Sequence, residues 1–499
     1  MGGTIFPVAL CRYVDADEGY YLMAARLVHQ GALPYRDFFY TQMPALPYVY
    51  SIVFKLPGPA WLSARLLTAM ISLLCGLIVC RQIHRVSGAR AALLGACLFA
   101  FSSWILEWNT VVKTYALATL LALFVFYLLE SPTRTRVAVF ISGVLLSLMT
   151  MTRLLYVALI PCAFYATLSR RGEGEKTRTE IDLLYLLVGI VVGFIPLLAF
   201  SDTWENFWFG NVHYHALRSG LGLVSNFREK ASVLLNVLGL RFSFPMGGDL
   251  RLQLSILVVT VLVVAFMAIR QRRPFNRNLA IVFSLVIVHA LPTPSYTQYY
   301  GCIVPFLILA LCEDIHPLQT DSPVLSRRGK RLYILITVLS LYVLAGGYGI
   351  YRVTLSGEHV MGLWSSRHRQ DWKISSIRKV SQAIDHFSGG APVVTTWPGY
   401  MVESKSPAMP GLENHFGLSV AEKTTAAMRR RTRIVDMDEV CDFISRHHSV
   451  VVLGLWIDRE QWTRDSCLSG YQVVESLGHV QICTWCPDIT DHRQMSATN

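Results

Sequence analysis

Residues 61–80 read WLSARLLTAMISLLCGLIVC, and Arg65 is the one charged side chain among them. A helix crosses the hydrocarbon core of a bilayer with roughly 20 predominantly apolar residues. The stretch therefore predicts a membrane-spanning helix. The composition of the whole chain agrees, because 53% of the 499 residues are hydrophobic and only 16% are charged, whereas about 25% are charged in a typical soluble domain.

Apolar stretches of this kind continue as far as residue 352, which indicates a polytopic membrane protein. Some are short or closely paired, notably those on either side of Arg153, so the predicted count is about ten spans. They begin near Trp61, Ala89, Val112, Val137, Leu154, Ile181, Leu252, Leu279, Gly301 and Leu332.

The basic residues indicate how these spans are oriented. They cluster in five loops, and threading the spans in order places all five on one side, which is predicted to be the cytoplasm. The extracytoplasmic side of the cell inner (plasma) membrane then receives residues 1–60, the 107–111 turn, the Arg153 turn, the 201–251 loop, the 292–300 turn and the tail. The net charge of +12 does not indicate nucleic-acid binding, since no soluble module carries a basic face. The clusters are Arg81, Arg85 and Arg90; Arg134 and Arg136; Arg170, Arg171, Lys176 and Arg178; Arg270, Arg272, Arg273 and Arg277; and Arg327, Arg328, Lys330 and Arg331.

Residues 353–499 read as a soluble tail. Helix-like and strand-like patterns alternate there, which predicts a small α/β domain. An exported domain is expected to hold one disulfide, whereas zinc is not expected, because the Cys483-Thr-Trp-Cys486 motif reads as a strand and no second CxxC exists. The helix-like stretches are 373–387, 420–430 and 438–447, and the strand-like stretches are 392–397, 450–456 and 479–485.

The amino terminus does not fit this topology. Only residues 1–14 precede an acidic cluster at Asp15 that is predicted to face outward, and they are too few to span a membrane. They also lack the charged start and apolar core of a signal peptide. The expectation is that a first transmembrane helix precedes the given start; the alternative is a short amino terminus that is translocated as it stands.

The acidic cluster Asp15-Ala-Asp17-Glu18-Gly-Tyr-Tyr21 opens a helix-like run that ends at Gly31. Carboxylates at a helix start are favoured by the helix dipole, so capping alone is one interpretation. Three carboxylates at a bilayer surface, followed by a tyrosine-rich amphipathic helix, exceed what a cap needs. The cluster is therefore also a candidate catalytic site.

Residues 17–31, 33–40 and 42–47 resemble the first extracytoplasmic loop of the GT-C glycosyltransferases, in particular the bacterial protein O-mannosyltransferases and the aminoarabinose transferase. The resemblance implies a polytopic α-helical membrane protein of the GT-C type with a C-terminal extracytoplasmic α/β domain. Residues 1–60 would form a catalytic loop, 61–352 the transmembrane domain and 353–499 the soluble domain. It implies an inverting transferase that moves a sugar from a polyprenyl-phosphate donor to an extracytoplasmic glycan, lipid or protein.

The resemblance also implies roles for the carboxylates. Asp17 matches the acidic residue at the start of this loop and would be the general base that takes the proton of the acceptor hydroxyl. Glu18 would support or orient Asp17. Asp15 is the weaker candidate, because it lies one residue off the family's pattern. The leaving lipid phosphate needs cationic or hydrogen-bonding partners rather than a strong acid.

One departure from the family concerns the phosphate. Relatives often carry Lys-Pro-Pro where this chain has Gln42-Met-Pro44, so another cation is expected to compensate. The candidates are Lys113, Arg153 and Arg65, since charges at membrane depth are costly and usually functional or paired. Snorkelling to the interface is the alternative for Lys113 and Arg65, which favours Arg153.

The 292–300 turn supplies further candidates. Gln298 and Tyr299 lie in a Gln-Tyr-Tyr turn of a kind that lines the donor site in relatives, and the alternative is an interfacial aromatic belt. Tyr40, in the first loop, is also assigned to substrate binding. No metal centre is predicted, because His213 and His215 have no third ligand. The sequence leaves open whether a divalent cation, Mg²⁺ or Mn²⁺, assists.

Two other functions compete with this interpretation. A lipid-linked-sugar transporter or flippase would share the spans and the buried cations, but it would not need external carboxylates, and no repeat symmetry is visible. An O-antigen-ligase-like transferase would use a large outer loop with Arg and His, which Arg218, His213 and His215 offer. In the tail, Trp397, Glu403 and residues 410–415 form either an acceptor-recognition cluster or a packed loop.

Overall fold

The computed structural model describes residues 1–169, 176–218, 223–237, 248–292, 294–320, 325–357, 366–454 and 467–486. Three helices precede the predicted transmembrane domain: α1 (Gly2–Cys11), α2 (Ala16–His29) and α3 (Ala45–Ser51), followed by a 3₁₀ turn at Ile52–Lys55. Residues 2–11, which were expected to be too short to span, thus form an apolar helix.

The next helices form the bundle. They are α4 (Ala60–Ala100), α5 (Ser103–Trp108), α6 (Thr114–Leu129), α7 (Arg136–Thr152), α8 (Leu159–Leu168), α9 (Lys176–Phe194), α10 (Trp204–Trp208), α11 (Tyr214–Arg218), α12 (Leu223–Val237), α13 (Gly248–Arg270), α14 (Arg277–His289), α15 (Val304–Thr320) and α16 (Leu325–Tyr351). The 3₁₀ segments Leu154–Ala158, Ile195–Thr203 and Thr297–Ile303 and the π segments Phe209–His213 and Arg352–Ser356 lie between or after them.

Within the described ranges, five helical stretches are long and apolar enough to cross a membrane. All ten predicted spans fall on these stretches or on shorter apolar helices. The first two predicted spans are one 41-residue helix, α4, whose backbone breaks at Gly88 with φ of 81°. The five stretches are Ala60–Ala100, Thr179–Arg218, Leu252–Arg270, Thr297–Ile315 and Ile336–Ser356.

Polar contacts join the helix ends near the predicted basic loops. Arg65 and Arg85 lie twenty residues apart on α4, which is about 30 Å along a helix, and Arg85 donates to Tyr127 O at the far end of α6. The predicted cytoplasmic loops that the structure describes therefore gather at one end of the bundle. The contacts there are Gln82–Glu130 at 2.7 Å, Arg134–Asp182 at 2.6 Å and Asn278–Glu313 at 2.9 Å.

The tail forms the predicted α/β domain. Its helices are α17 (Ile374–Ser388), α18 (Leu418–Ala421), α19 (Ala426–Thr432) and α20 (Met437–His447), and its strands are β1 (Val394–Thr395), β2 (Val451–Leu453), β3 (Tyr471–Leu477) and β4 (Val480–Trp485). The sheet order is β1-β2-β4-β3, with β1 and β2 parallel and the other pairs antiparallel. A disulfide joins Cys441 to Cys467.

The tail docks directly onto α2. The Trp397 indole N–H donates to Ala16 O at 2.8 Å, and Arg26 donates to the carbonyl oxygens of Met401 and Ser406. Glycine is needed where α2 meets the tail, because a Cβ at Gly19 would lie 2.7 Å from the Gly399 Cα. The tail thereby fixes the position of the helix that carries the acidic cluster.

Glu403 connects the tail to the start of α4. Its Oε1 accepts the backbone N–H of Trp61 at 3.0 Å, and its Oε2 accepts from Arg378 at 2.7 Å. A carboxylate at a helix amino terminus is stabilised by the helix dipole. Of the two interpretations of the Trp397 and Glu403 segment, the packed loop agrees with these contacts.

Candidate active site at the start of α2

Asp15 and Glu18 form the cap of α2. The Asp15 Oδ1 accepts the Asp17 N–H at 3.0 Å, and Glu18 Oε1 accepts the Asp15 N–H at 2.8 Å. This reciprocal arrangement is a capping box, which satisfies backbone donors that a helix start leaves unpaired. The side chain of Asp17 takes no part in the cap. The capping interpretation thus holds for two of the three carboxylates.

Glu18 is also the anion of a buried ion pair. Arg65 donates to it from Nε at 2.5 Å and from Nη2 at 2.6 Å, and both side chains are fully buried. The backbone N–H of Val112 is a further donor to Glu18, at 3.0 Å. The remaining Arg65 donors reach Ala9 O and Tyr13 O. The pair therefore joins α1, α2 and α4 and leaves little capacity for a substrate.

Lys113 holds the other two carboxylates. Its Nζ lies 2.9 Å from Asp15 Oδ1 and 2.9 Å from Asp17 Oδ2, and it donates to Gln298 Oε1 at 3.0 Å. An ammonium group has three donors, so these contacts use all of them. Its Nζ also lies 5.3 Å from the centre of the Trp108 ring. Lys113 is buried and acts inside the site rather than at the interface.

Burial raises the pKa of Asp15, and the charge of Lys113 opposes that shift. Asp17 differs in being accessible, since 18% of its side chain is exposed while Asp15 and Glu18 are wholly buried. Asp17 Oδ1 accepts no hydrogen bond from any residue that the structure describes. Asp17 is therefore the carboxylate that a substrate can reach.

Arg153 is a second buried cation close to Lys113. Its guanidinium lies between the rings of Tyr115, at 4.6 Å, and Tyr299, at 5.0 Å, and Nη1 donates to Thr114 Oγ1 at 3.1 Å. Its Nε is buried without an acceptor, and no carboxylate in the described ranges forms an ion pair with it. A buried unpaired cation is costly, so this position favours an anionic ligand.

The segment Lys113–Tyr115 connects the Asp17 carboxylate to the Arg153 guanidinium. Lys113 binds Asp17, while the next two residues contact Arg153. Helix α6 begins at Thr114, and no side chain caps it. The positive end of its dipole and its unpaired N–H groups therefore lie between the accessible carboxylate and the guanidinium.

Comparison with known proteins identifies this architecture. Residues 41–200 match the family model described as dolichyl-phosphate-mannose-protein mannosyltransferase, which is less than half of the chain and begins after Asp17. The crystal structure of ArnT from Cupriavidus metallidurans in the apo state matches with a TM-score of 0.68 at 13% identity, covering 96% of this chain and 95% of that one. The chain has the GT-C fold.

A second structure of that protein supports the same fold. ArnT from Cupriavidus metallidurans bound to undecaprenyl phosphate matches with a TM-score of 0.65 at 14% identity, covering 97% of this chain and 96% of that one. None of the curated proteins compared matches the sequence. The GT-C fold predicted from the first 50 residues is confirmed. The roles of individual residues stay predictions.

In this GT-C fold, two predicted residues lie apart from the charged cluster. Tyr40 is fully buried, with its ring stacked on Tyr20 at 5.3 Å and edge-on to Tyr35 at 6.0 Å. Gln42 accepts a hydrogen bond from the Tyr35 hydroxyl through its backbone oxygen. Neither side chain is hydrogen-bonded to Asp17 or Arg153 within the described part of the chain, so no contact with the cluster supports a direct role in substrate binding.

Arg218 joins the site, although the sequence indicated it only for the ligase-like alternative. It donates to the Tyr296 hydroxyl at 3.3 Å and lies 5.7 Å from the centre of the Phe416 ring. The Tyr296 ring packs against Tyr299 at 5.5 Å, which in turn stacks on Arg153. The outer loop, the 292–300 turn and the tail are thus connected to Arg153 through these contacts.

Arg12 was missed altogether by the sequence analysis. It is buried and donates to Glu107 O, while its Nε and Nη2 have no acceptor in the described structure. Burial, and then the nearby Arg65, lower the pKa of Arg12 to about 10. This contact joins residues 95 positions apart, so the sequence held no signal for it.

Proposed function

We propose that this protein is a membrane glycosyltransferase that moves a sugar from a polyprenyl-phosphate donor to an extracytoplasmic acceptor, with Asp17 as general base. One observation carries the proposal. An accessible carboxylate and an unpaired, buried guanidinium are held by adjacent residues at the start of α6. Such a pair suits a reaction in which a hydroxyl loses a proton while a phosphate leaves.

The chemistry follows from the two charges. The acceptor oxygen attacks the anomeric carbon as its proton passes to Asp17 Oδ1, and the bond from that carbon to the phosphate oxygen breaks. Polyprenyl phosphate leaves with the electron pair, and its added charge is stabilised by Arg153 and the start of α6. Attack opposite the leaving phosphate inverts the anomeric centre. Lys113 orients the Asp17 carboxylate through the contact of its Nζ with Oδ2.

The surroundings support a lipid donor. The site lies at one end of a bundle with long apolar helices, so an isoprenoid chain can lie between helices while its phosphate reaches Arg153. The GT-C fold of ArnT, whose structure holds undecaprenyl phosphate, supports the same donor class here. We place residues 1–60 and 353–499 on the extracytoplasmic side, because the described basic loops lie at the other end of the helix bundle.

The test is sugar transfer from a panel of radiolabelled polyprenyl-phosphate sugars in membranes containing the protein. Asp17→Asn is expected to lower turnover by about a hundredfold or more, since general base catalysis typically contributes 10²–10⁴. Asp37→Asn is the matched control, because Asp37 lies in the same loop, is 35% exposed and pairs with Arg36.

Equal turnover by wild type and Asp17→Asn would remove the base assignment. Transfer that survives Asp17→Asn but is lost in Arg218→Gln would favour the ligase-like alternative. Translocation of a lipid-linked sugar without transfer from any donor would favour the transporter.

A further inference from the structure

Three metal-binding side chains meet in the tail, away from the charged cluster at α2. His368 and Asp371 lie on the 3₁₀ segment Ser366–Trp372, and His479 lies in the turn between β3 and β4. One ligand atom from each lies within 4.8 Å of the other two. Asp371 Oδ2 and His479 Nδ1 lie 3.1 Å apart.

The local backbone explains why they meet. In a 3₁₀ helix, residues three apart project from the same edge, which places His368 beside Asp371. Gly478 has φ of 66°, and this left-handed conformation turns the hairpin so that His479 faces the segment. Asp371 also accepts the backbone N–H of His479 at 3.3 Å. A side chain at Gly478 would collide with Asp371, because its Cβ would lie 2.0 Å from Oδ1.

We infer that His368, Asp371 and His479 bind one zinc ion. Two imidazole nitrogens and one carboxylate oxygen are a donor set that zinc favours, with a fourth position for water. A tetrahedral zinc ion holds such ligands about 3.4 Å apart, given bonds of roughly 2.0–2.1 Å. The three ligand atoms already lie within 4.8 Å of one another, and the His479 side chain is 49% exposed, so solvent reaches the open position.

The zinc ion would hold in place the segment 366–372, which contacts the residues at the start of α2. Asp371 is followed by Trp372, whose carbonyl accepts the Val14 N–H at 2.7 Å. The Trp372 ring packs on Trp397 at 5.0 Å, and Trp397 donates to Ala16 O. The zinc site would therefore be structural: it ties the β-hairpin to the contacts on either side of Asp15, and it takes no part in sugar transfer.

The test uses the full-length protein purified in detergent, freed of metal and equilibrated with zinc chloride. The expected result is one zinc per chain by mass spectrometry of the metal, with the affinity of His479→Ala lowered at least about tenfold. His447→Ala is the matched control, because His447 is an exposed tail histidine outside the cluster. Cobalt added instead should give the visible absorption of a four-coordinate ion in wild type and control only.

His479 is exposed, so its replacement is not expected to unfold the domain, and gel filtration checks this. Asp371→Asn serves as a second ligand variant. Two results would overturn the inference: wild type that binds neither zinc nor cobalt, or ligand variants that bind as the control does. The readout is independent of transfer, so failure of the proposed enzyme activity would not imitate either result.

Discussion

Asp15, Asp17 and Glu18 are close neighbours in the chain, yet their carboxylates have different surroundings. Glu18 faces Arg65 in a buried ion pair, and Asp15 caps α2 and binds Lys113. Only Asp17 is partly exposed. The three side chains should therefore respond differently to loss of charge.

Glu18→Gln is expected to destabilise the protein, because it leaves the Arg65 guanidinium buried without a counter-ion. Removing one partner of a buried pair typically costs about 3–5 kcal/mol. Asp17→Asn should change the free energy of unfolding much less, since its side chain reaches solvent. Thermal unfolding in detergent measures both. An equal change in unfolding temperature for the two variants would contradict a structural role for Glu18 and an accessible position for Asp17.

Arg153→Gln is expected to weaken donor binding. A hydrogen bond to a charged group contributes about 1.5–3 kcal/mol, so the KM for the polyprenyl-phosphate sugar should rise roughly ten- to a hundredfold. Arg431→Gln is the control, because Arg431 is 48% exposed and pairs with Glu205. A KM that stays at the wild-type value would exclude Arg153 from the phosphate site.

Sequence reasoning selected most of this cluster but not its internal pairing. Lys113 and Arg153 were predicted because charge within apolar stretches is costly. The pairing of Arg65 with Glu18, rather than with a ligand, depends on a contact between residues 47 positions apart. Only the fold shows that contact, so the sequence could not separate the accessible carboxylate from the buried ones.

At the scale of elements, the contact between α2 and the tail controls the site. A Cβ at Gly19 would lie 2.7 Å from both the Gly399 Cα and the Trp397 ring. Gly19→Ala is therefore expected to separate α2 from the tail and to destabilise the protein by about 1–3 kcal/mol, the usual cost of overpacking. The measurements are thermal unfolding and the rate of proteolysis of the tail.

Gly3→Ala is the matched control for Gly19→Ala. Gly3 is also helical, and a Cβ there meets nothing within 4 Å. Alanine favours helices over glycine by about 1 kcal/mol, so this variant should be neutral or slightly stabilising. Equal behaviour of the two variants would show that close packing at Gly19 is unimportant.

The tail also shows which elements a pattern can predict. The helix predicted at 438–447 and the strand at 479–485 closely match α20 and β4. The helix predicted at 420–430 is instead two, because the Thr425 side chain caps a new helix at Ala426. Strand β3 was missed, since its exposed side chains do not alternate with buried ones.

At the scale of the whole molecule, α4 runs between two chemically different ends of the helix bundle. One end carries Arg65 within the acidic site, and the other carries Arg85 near the basic loops. Positive loops remain in the cytoplasm during membrane insertion. The arrangement therefore predicts that the acidic site and the tail face away from the cytoplasm.

Labelling of cysteines introduced one at a time, in sealed, right-side-out vesicles, tests that orientation. The background replaces the free cysteines that are exposed or partly exposed by serine, namely Cys11, Cys80, Cys97, Cys162 and Cys486. Ser445→Cys in the tail should react with a membrane-impermeant maleimide at once, because Ser445 is exposed on α20. Gln271→Cys, in an exposed turn between α13 and α14, should react only after detergent opens the vesicles. The opposite order of reaction would place Asp17 in the cytoplasm, where an extracytoplasmic acceptor cannot reach it.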